Sequence, residues 1–440
     1  MDLTVWQEIQ LGAHQAFRTI VPHERDRIPI TWQNGSLPIL CYAPFIFMAY
    51  LARRPDTYLI RLLLLPSVIA SILVAAYRFT WTNPELNVYN WGQCLFAAVA
   101  IAKSLEFAFT PEGMLKLGES RPGVVKGKAK DKSEPNGSTS NLHTNTDHDA
   151  PHPYLAAWFC DAFELAHSLR GLRWKFGQGA YIPPDPRPLS PPYAFLRATA
   201  ITFAKHYLLL DFIESCLKRL PGSISTPLGG SIFYSSLPPF QRYAVSTVIH
   251  ILTGTALLEG FGMVYDLVTL LAVGVFHSDP TSWPPIIDAP WKATSMHDLW
   301  ARRWHQLLRR TFLVFGGYPG RFLAFGSELG LVFGTFIASG LFHECAMYAM
   351  RRGYDHSATI FFAMQGPVLV GERLWRKVTG RRVGGWIGRL WVYFMMFVVA
   401  QPMVDAWHRR GLAGGRVIPP TLSPVRQILF PIIQKLWELV

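Results

Sequence analysis

Long apolar stretches are the feature that most constrains what this 440-residue chain can form. A helix that crosses the hydrocarbon core of a bilayer needs about 20 predominantly apolar residues. Nine segments approach or exceed that length, at residues 36–52, 59–77, 91–109, 193–217, 243–276, 322–350, 358–375, 386–404 and 425–440. The sequence therefore predicts an all-α, polytopic integral membrane protein with about nine transmembrane helices. Because residues 259–262 interrupt the segment 243–276, the number of crossings made by that segment stays open.

The composition agrees with a membrane protein and narrows the choice of partners. Charged residues make up 16% of the chain, against about 25% in an ordinary soluble protein. The net charge of +13 suits an anionic membrane surface, an acidic ligand or nucleic acid, but the chain contains no nucleic-acid-binding motif. Its five cysteines are dispersed without a CxxC pair, so neither a zinc module nor a disulfide framework is indicated.

The distribution of Lys and Arg between the apolar segments predicts an orientation, because these residues favour the cytoplasmic side. Arg53 and Arg54 follow the first segment, and lysines crowd residues 116–132 after the third. We expect both loops in the cytosol. If the segment 243–276 crosses an odd number of times, the basic stretches 292–310 and 376–382 join them there. The membrane is expected to be that of the endoplasmic reticulum.

Composition also divides the chain into three regions. Residues 1–117 hold the N-terminal transmembrane helices, and residues 154–440 hold the remaining helices and the candidate chemical groups. Residues 118–153 between them are polar and are expected to form a disordered cytosolic insert. Three histidines lie in this insert, at His143, His148 and His152. Their loose spacing in a solvated tract argues against a metal site.

His343 is the first candidate for chemistry, because an ionisable residue inside an apolar span is costly and indicates function. Ser339 lies one helical turn before it. Gly330 and Gly334 form a GxxxG surface suited to close helix packing, and helical rotation places His343 nearly opposite. One face of this helix is therefore predicted to pack while the other lines a cavity. The alternative is a buried histidine that donates to a carbonyl or pairs with Glu344.

A second polar constellation lies at residues 298–308. Its apolar stripe consists of Trp300, Trp304, Leu307 and Leu308, and its polar face consists of Asp298, Arg302 and His305. Tryptophans on one face and arginines on the other predict an amphipathic helix at the membrane interface. A simple anchor is the alternative, but a face that combines carboxylate, guanidinium and imidazole favours chemistry.

Two acids inside the fifth apolar segment leave another alternative open. Glu259 and Asp266 are seven residues apart and share one helical face. They either pair with cations such as Lys205 and His206, which we favour, or form a proton relay with His343 in a transporter of an amphipathic metabolite. Transporters often contain internal repeats, and none is evident here. A membrane scaffold without catalysis would leave His343 without a purpose.

Three motifs together carry a resemblance to a known family. Residues 170–174 are similar to an RGxxW stretch, residues 299–306 to an FWxRRWHQ signature, and residues 342–344 to an intramembrane histidine preceded by an aromatic residue. On these motifs the chain resembles the membrane-bound O-acyltransferase superfamily, in its wax-synthase-like branch of fungi and plants. Leu299 stands where the family usually has Phe, and Arg173 where relatives commonly have a second glycine.

The resemblance implies transfer of an acyl group from coenzyme A to a hydroxyl within a tunnel through the membrane. It makes His343 the catalytic base, and His305 the group that holds the thioester or stabilises the oxyanion. Arg302 and Arg303 are expected to receive the coenzyme A phosphates. Further contacts with substrate or coenzyme A are expected from Asp298, Trp300, Trp304, Ser339 and Glu344. The resemblance implies no metal and no tightly bound cofactor, only acetyl-CoA or another acyl-CoA as co-substrate.

The long charged insert and the numerous tryptophans fit the fungal members of this branch, which resemble acetyltransferases of terpenoid and meroterpenoid metabolites. We therefore expect acetyl transfer from acetyl-CoA to a terpenoid hydroxyl in secondary metabolite biosynthesis. The alternative within the branch is a long-chain wax-ester synthase that uses fatty acyl-CoA and a fatty alcohol. The acceptor alcohol, the acyl length and the oligomeric state stay open.

Overall fold

The computed structural model describes residues 4–125, 156–350 and 353–438. These residues form a mostly helical protein, with 68% helix and 2% strand. Within the same ranges, five helices are long and apolar enough to cross a membrane: Tyr58–Tyr77, Pro84–Phe109, Pro239–Gly274, Glu328–Ala349 and Gly385–Arg409. The helical class is therefore confirmed and an integral membrane protein is supported, whereas the count of about nine spans is not confirmed.

The described ranges contain helices joined by connections of varied length. The first eight are α1 (Val5–Ile20), α2 (Ser36–Leu40), α3 (Ala43–Ala52), α4 (Tyr58–Tyr77), α5 (Asn87–Phe109), α6 (Ala157–His167), α7 (Pro192–Leu217) and α8 (Pro239–Gly274). The others are α9 (Met296–Asp298), α10 (Arg309–Phe312), α11 (Tyr318–Leu323), α12 (Glu328–Ala349), α13 (Ser357–Thr379), α14 (Gly385–Phe394), α15 (Gln401–Arg409) and α16 (Phe430–Glu438). Turns of π-helix follow α9, join α10 to α11 and α14 to α15, and precede α16.

Helix α8 covers nearly all of the apolar segment 243–276, whose number of membrane crossings the sequence left open. It is one continuous helix of 36 residues, roughly 54 Å long at 1.5 Å per residue, and so exceeds a hydrocarbon core of about 30 Å. Gly262 lies inside it, where an added Cβ would come within 2.7 Å of the His206 ring. The glycine therefore provides room for a neighbouring helix and does not interrupt α8.

Ion pairs hold α7 against α8. His206 Nδ1 lies 2.6 Å from Glu259 Oε2, and His206 Nε2 lies 3.8 Å from Asp266 Oδ2. Arg187 also approaches Asp266, at 3.9 Å. The predicted structural pairing of the two acids is therefore confirmed for His206, while Lys205 is exposed.

Four short strands form two small sheets within the described ranges. Strand β1 (Ile28–Pro29) pairs in parallel with β2 (Phe79–Thr80), and β3 (Glu119–Arg121) pairs antiparallel with β4 (Val124–Val125). The second sheet occupies the first residues of the region predicted as a disordered insert, which therefore begins with a folded hairpin. The insert beyond residue 125, with His143, His148 and His152, lies outside the described residues.

Arg53 explains why the chain folds at that hairpin. Its guanidinium donates to Glu119 Oε2 and Oε1 at 2.7 and 2.8 Å, and to Asp161 at 2.8 Å. It also lies 5.0 Å from the ring centroid of Trp174, which is buried. One buried cation thus joins the end of α3, the hairpin, α6 and the RGxxW stretch.

Close glycine contacts join α12 to the helical segment 313–323. An added Cβ at Gly334 would overlap the Gly316 carbonyl, and one at Gly330 would overlap the Gly320 carbonyl. The two backbones therefore approach each other at two successive small-residue positions, as GxxxG helices do in membranes. The predicted close packing of this face of α12 is confirmed, and its partner is a second GxxxG pair.

We expect Gly334→Ala to destabilise the protein by about 1–3 kcal/mol, the usual cost of forcing extra atoms into a packed interior. Thermal unfolding of the detergent-solubilised protein measures this. Gly254→Ala in α8 is the matched control, because nothing lies within 4 Å of the added Cβ there. Equal unfolding midpoints for the two variants would show that the close contact is dispensable.

The Arg53 cluster gives a pH prediction. Burial alone would raise the pKa of Glu119, but hydrogen bonds from Arg53 and from the Lys116 and Gly123 amides outweigh it and lower that pKa. A depressed carboxyl pKa stabilises the fold above the unfolded value of about 4.3, and this stability is lost as the pH falls through the folded pKa. The unfolding free energy of the wild type should therefore drop more between about pH 6 and pH 3 than that of Glu119→Gln.

Chemical denaturation at each pH measures this difference. Glu112→Gln is the control, because Glu112 is an exposed acid on the same connection and its variant should follow the wild type. A Glu119→Gln profile parallel to the wild-type profile would contradict the role given to the Arg53 cluster.

Candidate active site

The signature segment, residues 299–306, begins as a helix and ends abruptly. The Ser295 side chain accepts from the Asp298 amide at 2.9 Å and caps α9. A five-residue π-helical turn then ends at Arg303, because Trp304 is extended, with φ −77° and ψ 151°. The predicted interfacial helix that continues to Leu308 is therefore wrong.

Gln306 provides the physical reason for this ending. Its side-chain nitrogen donates to the Trp300 and Trp304 carbonyls at 3.0 and 2.9 Å. A side-chain amide thus occupies carbonyls that a longer helix would pair with later backbone amides. Because Gln306 is buried, these bonds are shielded from water and hold the turn closed.

Trp300 lies inside the protein and does not serve as an interfacial anchor. Its indole Nε1 donates to Gln365 Oε1 at 3.1 Å. Its ring packs edge-on against Phe336 and at a tilt against Phe362, each with ring centroids 6.0 Å apart. Gln365 on α13 is fully buried, so this hydrogen bond fixes the signature segment against α13.

The two arginines of the signature segment have different surroundings. Arg303 donates to Asp298 Oδ2 at 2.7 Å and lies 3.8 Å from Asp288 Oδ1. Arg302 is exposed, and its guanidinium has no hydrogen bond or ion pair within the described ranges. Arg303 and Asp298 therefore brace the turn, while Arg302 keeps its charge available to an anion.

His305 follows the turn and faces aromatic rings. Its ring lies 5.0 Å from that of Phe261 on α8 and 5.3 Å from that of Trp304, centroid to centroid. Its Nδ1 is buried and has no hydrogen-bond partner in the part of the chain that the structure describes. Burial, together with the neighbouring His343, lowers the pKa of His305 to about 4. The ring is therefore neutral at neutral pH.

His343 has a defined tautomer. Its Nδ1 lies 2.7 Å from the Ser339 carbonyl oxygen one turn earlier on α12. Because a carbonyl only accepts, Nδ1 carries the proton and Nε2 carries the free lone pair. No described residue forms a hydrogen bond with Nε2, and the side chain is only half-buried.

Aromatic rings surround this imidazole. Phe362 on α13 stacks on it at 4.3 Å, Trp407 on α15 lies nearly parallel at 6.5 Å, and Phe312 on α10 lies 6.4 Å away. The Trp407 Nε1 is buried and has no hydrogen-bond partner among the described residues. These rings form an apolar environment around the imidazole, which we call the aromatic chamber.

Glu344 and Ser339 both make hydrogen bonds within the protein. Glu344 is buried, and its Oε1 accepts from the Asp355 and His356 amides at 2.8 and 3.2 Å. It therefore secures the chain just before α13. Ser339 offers its backbone carbonyl to His343. Their predicted contacts with substrate or coenzyme A remain predictions.

The RGxxW stretch is hydrogen-bonded to the loop that precedes the signature segment. Arg170 donates to the Pro285 and Pro284 carbonyls at 2.8 and 2.6 Å, and to the Tyr265 hydroxyl at 2.8 Å. Arg173, where relatives commonly have glycine, adopts a left-handed φ of 69°. The turn therefore keeps the backbone form that a glycine favours.

Glu372 on α13 is a site residue that the sequence did not reveal. Its carboxylate accepts from the Met296 and His297 amides at 2.7 and 3.0 Å and from Trp391 Nε1 at 3.0 Å. These amides are the first free donors of the helix that leads into the signature segment. Glu372 thereby links three elements, and no local pattern marks a partner 76 residues away.

The structure thus places His343 near enough to His305 to contribute to the lowered pKa of His305. Arg303 and Asp298 pair with each other, Arg302 lies at the surface, and Trp304 lies beside His305. Among the described residues, no group of three or more His, Cys, Asp or Glu side chains could hold a metal ion.

Comparison with known proteins agrees with this arrangement. Residues 283–364 match the sequence model of the Membrane bound O-acyl transferase family, and this range contains both the signature segment and His343. Acetyltransferase ple2 of Rhodocybe pseudopiperita is 25% identical over 52% of this chain and 60% of its own length. Acetyltransferase eriL of Hericium erinaceus is 26% identical over 59% of this chain and 67% of its own.

A relative with a different name is O-Mevalon transferase yanI of Aspergillus niger, 28% identical over 44% of this chain and 46% of its own length. No solved structure matches the chain. The matches confirm the predicted resemblance to membrane-bound O-acyltransferases and support an O-acyltransferase enzyme. This chain spans only 60% of the length of ple2.

Glu372→Gln should lower the acyltransferase kcat per folded molecule by about tenfold, because the amide nitrogen of glutamine cannot accept a hydrogen bond and one buried donor loses its partner. The KM for acyl-CoA should stay within about twofold, since the Glu372 carboxylate is occupied by donors of the protein itself and should not take part in binding the co-substrate. Steady-state kinetics on detergent-purified protein measures both constants.

Glu328→Gln is the matched control, an exposed glutamate at the start of α12 whose ion pair with Arg321 is also exposed. It should leave kcat unchanged. A Glu372→Gln enzyme with wild-type kcat per folded molecule would show that these hydrogen bonds serve stability alone.

Proposed function

We propose that the chain is an acyl-CoA:alcohol O-acyltransferase that transfers acetyl from acetyl-CoA to a hydroxyl of a terpenoid or meroterpenoid metabolite. One observation carries the proposal: the Ser339 carbonyl holds His343 Nδ1, which leaves Nε2 as a base inside an apolar chamber. The names of ple2 and eriL, both acetyltransferases, support the acetyl group. The endoplasmic reticulum membrane is the proposed location.

The reaction requires one proton acceptor and one acyl donor. His343 Nε2 accepts the proton of the alcohol as its oxygen attacks the thioester carbonyl, a role worth about 100-fold to 10,000-fold in rate. The tetrahedral intermediate then expels the thiolate of coenzyme A, and His343 returns the proton to that sulfur. The ester and free coenzyme A leave, and the imidazole is neutral again. Proximity and a base suffice for this transfer.

His305 is proposed to act on the other side of the thioester. The neutral ring carries one N–H, which can donate to the carbonyl oxygen as negative charge develops on it. Its position between Phe261 and Trp304 excludes water, which strengthens such a hydrogen bond. His305 therefore supplies the donor and His343 the acceptor of the same reaction.

The aromatic chamber has a further role in this proposal. Phe312, Phe362 and Trp407 surround His343 and limit the access of water, which would otherwise compete with the alcohol for the thioester. Aromatic walls also suit a large apolar acceptor better than a small polar one. Arg302, which is exposed on the signature segment, is proposed to bind a phosphate of coenzyme A.

The two acids that suggested a transporter form ion pairs within the protein. The proton relay of a transporter requires Glu259 and Asp266 to communicate with His343, but both acids are engaged by His206 and Arg187 between α7 and α8. We therefore propose a structural role for these acids.

His343→Gln should lower the release of free thiol from acetyl-CoA, in the presence of a terpenoid alcohol, by about 100-fold or more, because the base is lost. His297→Gln is the control, since this histidine is exposed and lies close to the signature segment. It should retain the wild-type rate. Full activity of the folded His343→Gln variant would contradict the assignment of His343 as the base.

The acyl group is tested in the same assay. Acetyl-CoA should be used at least tenfold more efficiently than palmitoyl-CoA, a difference of about 1.4 kcal/mol in transition-state binding. A preference for palmitoyl-CoA with a long-chain alcohol would indicate the wax-ester synthase instead.

A further inference from the structure

A strongly basic surface lies where α13 ends and α14 begins. We call residues 373–389 the basic turn. It contains six cations and no acid: Arg373, Arg376, Lys377, Arg381, Arg382 and Arg389. All six side chains are exposed. The basic turn therefore carries positive charges without any negative charge in the same stretch of sequence.

None of these cations is neutralised inside the protein. Within the described ranges, none of the six cationic side chains forms an ion pair, a hydrogen bond or a stacking contact with an aromatic ring. The nearest acid in sequence, Glu372, already accepts three hydrogen bonds from Met296, His297 and Trp391. The cations of the basic turn are therefore available to bind an anion outside the protein.

Exposed apolar side chains accompany the cations. Trp386 is 72% exposed and Trp375 54% exposed, and Leu374, Val378, Ile387 and Leu390 are also exposed. At 100° per residue, Leu374, Trp375 and Val378 share one face of α13, while Arg373, Arg376 and Lys377 share another. Tryptophan beside Lys and Arg is typical of the boundary between hydrocarbon and headgroups.

The position in the fold agrees with that boundary. The helix that begins at Gly385 is one of the five long enough to cross a membrane, so the basic turn lies at the end of a candidate span. A cluster of four to eight Lys and Arg at such a place attracts anionic lipid headgroups. A soluble anion would gain nothing from the exposed Trp375 and Trp386, whereas a lipid offers both a phosphate and acyl chains.

We propose that the basic turn binds anionic phospholipid headgroups, with the tryptophans inserted beside them in the same leaflet. This site is separate from the acyl-transfer chamber. Glu372 connects the two, because it is the first residue before the basic turn and holds the amides that start the helix of the signature segment. Bound lipid therefore also steadies the surface from which that helix begins.

The test compares wild-type protein with the variant R376Q/K377Q/R381Q/R382Q, in nanodiscs of phosphatidylcholine alone and of phosphatidylcholine mixed with phosphatidylserine. Native mass spectrometry of the released protein measures which lipids it retains. The wild type should enrich phosphatidylserine over phosphatidylcholine by about tenfold or more, since each cation near the surface contributes to attraction, and the variant should lose this enrichment.

The control variant is K175Q/R197Q/K205Q/K435Q, which removes the same amount of charge from exposed cations elsewhere and should enrich phosphatidylserine like the wild type. Equal enrichment by both variants would overturn the proposal. So would a tenfold increase in the acyl-CoA KM of the first variant in pure phosphatidylcholine, because the cations would then serve the co-substrate. Lipid retention is measured without turnover, so it stands or falls independently of the proposed acyl transfer.

Discussion

The contact between α12 and the helical segment 313–323 determines where the imidazole of His343 lies. Apolar side chains gain little by leaving lipid for a protein interior, so helices in a membrane associate through close packing and polar contacts. Gly316 against Gly334 and Gly320 against Gly330 bring these two backbones together. The other face of α12 is then left to the aromatic residues of α13 and α15. The segment before the first glycine also delivers Phe312 to the chamber.

Polar side chains from distant parts of the chain shape the rest of the site. Gln306 ends the signature helix, Gln365 holds the Trp300 indole, and Glu372 binds the first amides of that helix. Each supplies a hydrogen-bond partner to a group that would be costly to bury alone. The position of His305 therefore follows from polar contacts that are satisfied together, and helix propensity has little part in it.

The sequence predicted best what depends on local periodicity. The apolar runs gave helices, the GxxxG spacing of Gly330 and Gly334 gave a packed face, and rotation gave His343 the opposite face. The same reasoning failed at residues 300–308. The apolar side chains there repeat with the 3.6-residue period of a helix, but the Gln306 side chain binds the Trp300 and Trp304 carbonyls and the helical turn ends at Arg303. The roles of Trp407 and Glu372 were beyond it, because their partners are brought near only by tertiary packing. The count of about nine spans is not confirmed, because only five helices of the described ranges are long and apolar enough to cross a membrane.

The net charge of +13 divides into cations with internal partners and cations without them. Arg53, Arg187 and Arg303 face carboxylates, so they contribute little field outside the protein. Arg302 and the basic turn keep their charge, and they are connected: Glu372 bonds the Met296 amide, and Gly388 in the basic turn packs against Thr294. The two groups of available cations therefore lie on elements that contact each other at residues 294–296. Arg303 is paired with Asp298, so Arg302 is the guanidinium of the signature segment proposed for an acyl-CoA phosphate, whereas a lipid leaflet can engage the six cations of the basic turn at once.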